Sequence, residues 1–544
     1  MDFKTFLENF DAIAEAPGGI PKLRSLILNL AVRGKLVPQH PEDKPAMPPK
    51  ALQAEKFPYS LPVNWVGVKL GDVVDFVGGS QPAKKQFIYE EKPGYVRLIQ
   101  IRDFKTDGFK TYVPEEYARR PFKEDDIMVG RYGPPVFQIL KGLSGTYNVA
   151  LMKATPTINS LSKDYLYYLL QEPRIQNIVI ADSSRTAGQS GVRKELLNEI
   201  IVLVPPLAEQ KRIVEKVDEL MALRDRYEAA KQTRDNLRQK LRGSAIASLI
   251  NAETDEVLDA AWAIMRDNWH NLSQYPEDVD GLRQVVIQLA VEGKLVSQNS
   301  ADEPASFLIK RALEKRKTLT AAKKISKREP QPPLEEEEIP FELPSGWECI
   351  RFGEITDIVS GVTKGRKLTG RETASYPYLR VANVQRWHLA LEVMKEIEIS
   401  VEELDKYRLQ IGDVLLTEGG DWDKLGRSAI WQGEIENCIH QNHVFRARPL
   451  DHGLLPEWAV IFTNSPVGRQ YFESAAKRTT NLASINMAQL RFCPFPVPPE
   501  EEQKRIVAKV DELMKLCDQL EASLRQSQQR AESLAASAIS HLTI

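Results

Sequence analysis

Two kinds of side chain in this sequence could do chemistry. The first kind suggests metal or acid work. "CIHQNH" puts Cys438, His440 and His443 within six residues, but no second Cys/His pair follows at finger-like spacing, so a strand or loop without metal is expected. "TEGGDWDKLGR" (417–427) carries Glu418, Asp421 and Asp423, which could hold a divalent cation or serve as a polar loop that accepts hydrogen bonds. The second kind is more widespread: guanidinium and carboxamide groups, whose forked or paired donors and acceptors suit planar hydrogen-bonding partners. They gather in loop-like stretches that recur in the same order in two halves of the chain. The first half has "GGSQPAKKQ" (78–86) with Gln81, Lys84 and Lys85, then Gln100 and Arg102, then Arg131 and Tyr132, and then Arg185, Gln189 and Arg193. The second has "GVTKGRK" (361–367) with Thr363, Lys364, Arg366 and Lys367, then Arg380, Asn383 and Gln385, then Glu418, Asp421, Lys424 and Arg427, and then Lys477, Arg478 and Asn481.

The elements that must position these loops repeat as well. "PPLAEQKRIVEKVDELM" (205–221) returns as "PPEEEQKRIVAKVDELM" (498–514), "LAVRGKLV" as "LAVEGKLV", and "LPVNWVGVKLGDVVDFVGG" (61–79) as "LPSGWECIRFGEITDIVSG" (343–361). A tandem duplication near residue 260 is the natural reading. Each copy runs from a short amphipathic helix (about 21–36 and 282–296) through a linker to a mixed region and a long helix. The mixed regions, such as "YVRLIQI" and "YPYLRVANV", alternate short apolar strings with Gly, Pro and Asp, which are strand signals with some helix between. Each ends in a strand that breaks at prolines, and the next helix opens with Pro and early Glu, as helix N-termini prefer.

In the second long helix, Ile506, Val510, Leu513, Cys517, Leu520, Leu524, Ala531, Leu534 and Ala538 keep 3- and 4-residue steps, with the seam passing Ser527, the stripe of a coiled coil. The first begins alike but puts Arg224, Tyr227, Lys231 and Arg238 where its twin has Cys517, Leu520, Leu524 and Ala531. Helices of about 40 to 44 residues rise about 1.5 Å per residue and so outrun one small domain. The expected fold is α/β (α+β): two globular domains separated by an antiparallel two-helix coiled coil with internal pseudo-twofold duplication. The expected parts are an N-terminal helical segment and linker (1–56), a first mixed domain (57–204), a first long helix (205–250), a central helical segment (251–300), a charged and exposed linker (301–340), a second mixed domain (341–497) and a second long helix (498–544).

At 544 residues, 42% hydrophobic, 27% charged and with a formal net charge of -2, the composition is that of a globular chain of several domains. Residues 1–11 lack a signal-peptide pattern and no apolar run reaches 18 residues, so neither export nor a membrane span is expected. The four cysteines lie in the second half without CxxC spacing, which fits a reducing cytoplasm better than a disulfide framework. Phosphate-binding motifs are missing: Gly34-Lys35 and Gly293-Lys294 are each followed by Leu, and no GxGxxG occurs.

Taken together, the paired long-helix openings, the paired "GKLV" helices and the paired "LP..W" starts resemble the specificity subunit of a Type I restriction-modification system, over essentially the whole chain. The resemblance implies that the mixed domains are target-recognition domains, that the long helices are conserved spacers, and that each copy reads one half of a split double-stranded DNA site. It further implies a non-catalytic chain without cofactor, holding two modification subunits that methylate adenine with S-adenosylmethionine and two restriction subunits that use ATP and Mg. The Asn/Asp-Pro-Pro-aromatic tetrad of adenine methyltransferases is absent from this chain. Under this reading the forked side chains above become DNA contacts, Arg to guanine, Asn or Gln to adenine, and Lys to phosphate. Two non-identical readers at fixed separation would recognise two short sequences about one helical turn apart. The alternatives are a coiled-coil protein scaffold and a restriction or methylation enzyme whose active site goes unrecognised. Neither mixed domain is basic, with 19 Lys/Arg against 16 Asp/Glu in 57–204 and 18 against 20 in 341–497. Modest DNA affinity is therefore expected of the chain alone, with the missing positive surface supplied by the modification subunits.

Overall fold

The computed structural model describes residues 3–52, 61–133, 135–183, 191–252, 254–328, 331–420, 424–478 and 483–543. They form two compact units, residues 1–236 with 526–544, and residues 237–525. Both are mixed helix and strand. Among the described residues no helix is long and apolar enough to cross a membrane.

The first unit opens with helices Phe3–Glu8, Phe10–Glu15 and Gly19–Val32. In the third, Leu23, Ile27, Leu30 and Ala31 fall on one face and are buried. Strand Val66–Lys69 then pairs antiparallel with Ile201–Val204, which ties the two ends of the mixed region together. Between them lie two four-stranded sheets. One runs, in spatial order, Val74–Gly78, Leu151–Pro156, Ile127–Gly130 and Ile139–Leu140, all antiparallel. The other runs Tyr112–Pro114, Tyr95–Ile99, Gly145–Tyr147 and Pro121–Phe122, with Tyr95–Ile99 parallel to Gly145–Tyr147. Helices Lys163–Leu169, Pro173–Ser183 and Lys194–Glu199 complete the layer, the first of them capped by the Ser162 hydroxyl.

In the second unit the same order recurs. Strand Glu348–Arg351 pairs antiparallel with Pro494–Val497. Thr356–Ser360, Val444–Pro449, Val414–Thr417 and Ser428–Ile430 form an antiparallel sheet, while Lys395–Ser400, Thr373–Leu379 and Ile439–His440 form another that again contains one parallel pair. Gly419–Gly420, Ala483–Ser484 and Lys477–Arg478 add a small third sheet. Helices Asp255–Leu272 and Asp280–Val291 precede the mixed region. The charged linker, with its helix-favouring Lys/Arg-rich run, does form helix Ala305–Ala321, but it is not simply exposed: Ala305, Leu308 and Ala312 are buried in the core with Trp347 and Trp458. Small and apolar residues recur on one face of that helix, and the lysines and arginines between them obscure the stripe in the sequence.

The long helices are Leu207–Ile250 and Glu500–Thr543, 44 residues each. Their repeated opening is a dock. In the first helix the Glu209 carboxylate is buried and takes the Trp65 indole N–H at 2.9 Å. Buried Gln210 accepts from the Ser162 backbone N–H at 2.8 Å and donates to the Ser160 and Pro205 carbonyls at 2.7 and 2.9 Å. Arg212 reaches Asp43 at 2.6 Å. The second helix repeats the arrangement: Gln298 donates to buried Glu502 at 2.7 Å, Gln503 accepts from Leu455 N–H at 2.9 Å and donates to the Pro498 carbonyl at 3.0 Å, and Arg505 meets Asp302 at 2.6 Å.

Further along, the unequal seams find different partners. In the first unit Tyr227 Oη donates to Glu15 at 2.9 Å, Arg234 forks onto the same carboxylate at 2.7 and 2.9 Å, and Lys231 donates to the carbonyls of Ala14 and Glu15. Burial alone would push the Glu15 carboxyl up, but the Arg234 and Tyr227 hydrogen bonds outweigh it and hold it below the ordinary range. In the second unit Cys517, Leu520 and Leu524 pack with Leu249, Met265, Leu272 and Val285. The expected stripe fails at Leu534, which is 66% exposed, while Ala535 is fully buried in the first unit's core. One residue's rotation suffices, because a straight helix drifts against a strict seven-residue repeat. The Ala538 side chain lies outside the described residues.

Glu209→Ala should lower the unfolding free energy by roughly 1 to 3 kcal/mol, because Trp65 loses its buried acceptor, while Lys211→Ala, on the exposed face, should shift it by less than about 0.5 kcal/mol. Burial raises the Glu209 carboxyl above its ordinary 4.5, against the Trp65 bond and Arg212. Its contribution is therefore fullest below pH 4.5 and declines as pH rises through the raised folded value. Thermal unfolding of wild type and variant should accordingly show the larger gap in acid than at neutral pH.

Candidate nucleic-acid interface

In each unit the candidate loops come together on one short segment. In the first that segment is 147–151, between strands Gly145–Tyr147 and Leu151–Pro156. The Tyr147 carbonyl accepts from Ser80 N–H at 3.0 Å and the Leu151 carbonyl from Gly79 N–H at 2.9 Å, which brings in the loop of Gln81, Lys84 and Lys85. Asn148 N–H donates to the Ile99 carbonyl at 3.2 Å, next to Gln100 and Arg102. Arg131 joins through its backbone N–H to Ala150 at 2.8 Å and through Nη1 to the Val149 carbonyl at 3.4 Å, and its guanidinium lies 5.2 Å from the Tyr132 ring centroid. Val192 N–H donates to the Arg131 carbonyl at 3.0 Å, so the chain leading to Arg193 arrives at the same place. Gln81, Lys84, Lys85, Arg102 and Arg193 are exposed, and Gln100, Arg131 and Tyr132 half-buried. Arg193 forks onto Asp182. Arg185 and Gln189 lie outside the described residues.

In the second unit the equivalent segment is 440–444. The His440 carbonyl accepts from Val362 N–H at 2.8 Å, and Asn442 N–H donates to the Val362 carbonyl at 3.0 Å, which anchors the loop of Thr363, Lys364, Arg366 and Lys367. Gln441 N–H donates to the Leu379 carbonyl at 2.9 Å, beside Arg380. Glu418 N–H donates to the His443 carbonyl at 3.0 Å, the two side chains are hydrogen-bonded, and Ile485 N–H donates to the Glu418 carbonyl at 2.9 Å. Arg427 Nη1 donates to Gln385 Oε1 at 2.7 Å. Arg366 pairs with Glu403 at 3.0 Å, and Lys364 stands 5.7 Å from the Tyr378 ring centroid. Thr363, Lys364, Lys367 and Lys477 are exposed, while Glu418 and Lys424 are half-buried. Asp421 and Asn481 lie outside the described residues, and Arg478 is described only by its backbone, paired with Ala483.

One glycine in each unit makes this approach possible. A Cβ on Gly79 would lie 1.9 Å from the Asn148 carbonyl oxygen, and one on Gly361 would lie 2.0 Å from that of His440. Both positions close the repeated stretch 61–79 and 343–361, so the repeat preserves a backbone contact that no side chain could survive.

Asn383 corrects an expectation. It is 3% exposed, its Oδ1 accepts from Arg380 N–H at 3.0 Å, and its Nδ2 donates to the Ala390 and Val393 carbonyls at 2.8 and 3.2 Å. Its amide holds the 380–393 connection together and is spent inside the fold. Arg380 does part of the same work, donating to the Val393 carbonyl at 2.8 Å.

The sequence reading also passed over Asn148 in the first unit and Gln441, Asn442 and His443 in the second, which sit at the meeting point itself. In the sequence "CIHQNH" reads as a strand or loop with a metal site as the alternative, and neither reading singles out its polar residues. The end of the strand divides it instead: Cys438, Ile439 and His440 are all buried, and the chain turns outward after strand Ile439–His440. Cys438 and His440 turn inward, burial pushing the thiol up to about 12 and the imidazole down to about 4, and neutral His440 donates through Nδ1 to the Val444 carbonyl at 2.7 Å. Residues 441 to 443 face outward. Among the described residues no group of three or more His, Cys, Asp or Glu is placed to hold a metal ion.

The family model for the Type I restriction modification DNA specificity domain matches residues 62–234 and 344–528. The Type I restriction enzyme EcoEI specificity subunit of Escherichia coli is 29% identical over 559 residues, covering 95% of this chain and 93% of that protein. The EcoAI specificity subunit of the same organism is 28% identical over 564 residues, with 95% and 92% covered. The crystal structure of the HsdS subunit from Thermoanaerobacter tengcongensis aligns with a TM-score of 0.43 at 18% identity, covering 90% of this chain and 98% of that one.

Asn383→Ala should cost roughly 1 to 3 kcal/mol of unfolding free energy because it strands buried polar groups. Gln441→Ala, at a half-exposed side chain, should cost under about 0.5 kcal/mol. Calorimetry on the two variants separates a residue that builds the connection from one that faces outward.

Proposed function

This chain belongs to the Type I restriction-modification DNA specificity family, and we propose that each unit presents one reading head for half of a split, asymmetric double-stranded DNA site. Its part in the system is recognition, not catalysis. The observation that carries the two-headed reading is the convergence of three loops on residues 147–151 in one unit and on 440–444 in the other, with a fourth joined through Arg131 and Glu418 respectively. Each meeting point gathers forked or paired groups from distant parts of the chain onto a scaffold of paired strands, as base readout requires. In this reading Gln81, Gln100, Arg102, Arg131 and Asn148 of the first head, and Gln385, Arg427, Gln441, Asn442 and His443 of the second, face base edges. Lys84, Lys85, Lys364, Lys367, Lys424 and Lys477 hold phosphates, which fix register without carrying sequence. Glu418, paired with His443, is suited to accept from a cytosine amino group.

The two 44-residue helices form, in the same reading, an antiparallel coiled coil between duplicated halves. It is supported by the first unit's core, where Ala535 of the second helix shares a cluster with Ile213, Val217 and Leu220 of the first, and by the second unit's cluster of Leu249 with Cys517. The partners are two modification subunits and two restriction subunits in the cytoplasm, and S-adenosylmethionine, ATP and Mg act in those partners.

Mapping adenine methylation genome-wide in cells carrying this gene with its partner genes should yield one bipartite, asymmetric motif, absent when the gene is deleted. Exchanging residues 61–204 for those of a relative should change one half of the motif and leave the other intact. A single continuous motif, or one that survives deletion, would remove the two-head reading.

A further inference from the structure

In both units the connection leaving the parallel strand carries an exposed aromatic residue. In the second unit it is Trp387. Val384 bridges Leu389, Gln385 N–H donates to the His388 carbonyl at 3.0 Å, and Ala390 N–H donates to the Asn383 carbonyl at 2.8 Å, so 384–389 is a tight hairpin with Trp387 at its tip. Trp387 has a φ of 73°, in the left-handed region that a bulky side chain disfavours, and is still 46% exposed. Its backbone N–H is held by the Ser428 carbonyl at 3.0 Å, and Arg427, hydrogen-bonded to Gln385, adjoins that anchor. In the first unit the connection between the corresponding strands, Tyr95–Ile99 and Tyr112–Pro114, carries Phe109, 66% exposed, with the Arg102 guanidinium 5.6 Å from its ring centroid.

A strained backbone that holds a large apolar side chain out to solvent gains the folded chain nothing by itself, and such strain gathers at binding sites. Arg386 and His388 are its neighbours in the hairpin and Arg427 precedes its anchor Ser428, all of them groups suited to a polyanion. We infer that Trp387 is a wedge that stacks against a base step in the half-site read by the second head, with Phe109 its counterpart in the first. Aromatic side chains inserted at base steps unstack and kink duplexes in this way, and the exposed base face stacks on the inserted ring. Trp387 would then contribute affinity and favour base steps that open easily, where direct hydrogen bonds are few.

This inference rests on the recognition reading above. The test uses the full chain with its modification subunits and duplexes carrying the mapped site, with 2-aminopurine placed in turn at each adenine of the second half. Wild type should raise the emission at one step several-fold. Trp387→Ala should abolish that rise and weaken binding about 10-fold, and Trp387→Phe should keep most of both. Trp387→Gly and Trp387→Asn, which suit the left-handed backbone, should melt at or above the wild-type temperature while losing the emission change. The wedge is overturned if the Ala variant keeps the rise or binds within twofold of wild type, or if the Gly and Asn variants melt lower. If wild type does not prefer the mapped duplex to a scrambled one, the recognition reading itself falls, and the wedge with it.

Discussion

The first turn of each long helix buries a carboxylate and a carboxamide, and the attachment of each mixed region depends on them. Gln210 and Gln503 each satisfy a backbone N–H of the mixed region and the carbonyl of the proline two residues before their helix. Glu209 and Glu502 take the side chains of Trp65 and Gln298. Ionised groups are costly to bury unless hydrogen-bonded, so this contact tolerates few alternative geometries. A helix start held this way fixes how the long helix leaves its mixed region.

The strand pair beside the dock serves the same end. Ile201–Val204 and Pro494–Val497 return to the strands that open their mixed regions and run straight into the helix. Each mixed region thus leaves its sheets as a closed loop, whose base is a two-stranded ribbon. The candidate loops come from separate parts of the mixed region but lie close to one another through 147–151 and 440–444. Gly79 and Gly361 are the tightest points of that convergence, where main chain lies against main chain.

The two long helices solve one packing problem with different chemistry. Cys517, Leu520 and Leu524 lie in an apolar cluster. Tyr227, Lys231 and Arg234 converge on Glu15 and on carbonyls at the end of a short helix. Helix Phe10–Glu15 supplies a carboxylate and a helix C-terminus, both favourable for cations. The seam that looks defective in the sequence is therefore matched, by a partner too short to announce its role.

Much of this was legible in the residues. The duplication in sequence, the strand-rich regions, both long helices and the order of the candidate loops follow from repeats, periodicity and punctuation, which are local properties. Residues whose role depends on burial were not legible. Asn383 reads like a recognition amide and is a structural one, Leu534 reads like a core position and is exposed, and Ala305, Leu308 and Ala312 are core positions hidden among charges. The value of 440–444 was hidden for the same reason, since the strand ends at buried His440 and the turn after it exposes His443. The sequence by itself determined which segments become helix and strand and which polar groups the loops contain, because propensity and spacing act over a few residues. Only the tertiary structure decided which of those groups face outward together, because that depends on strand register and on which buried amides and carboxylates the fold must satisfy.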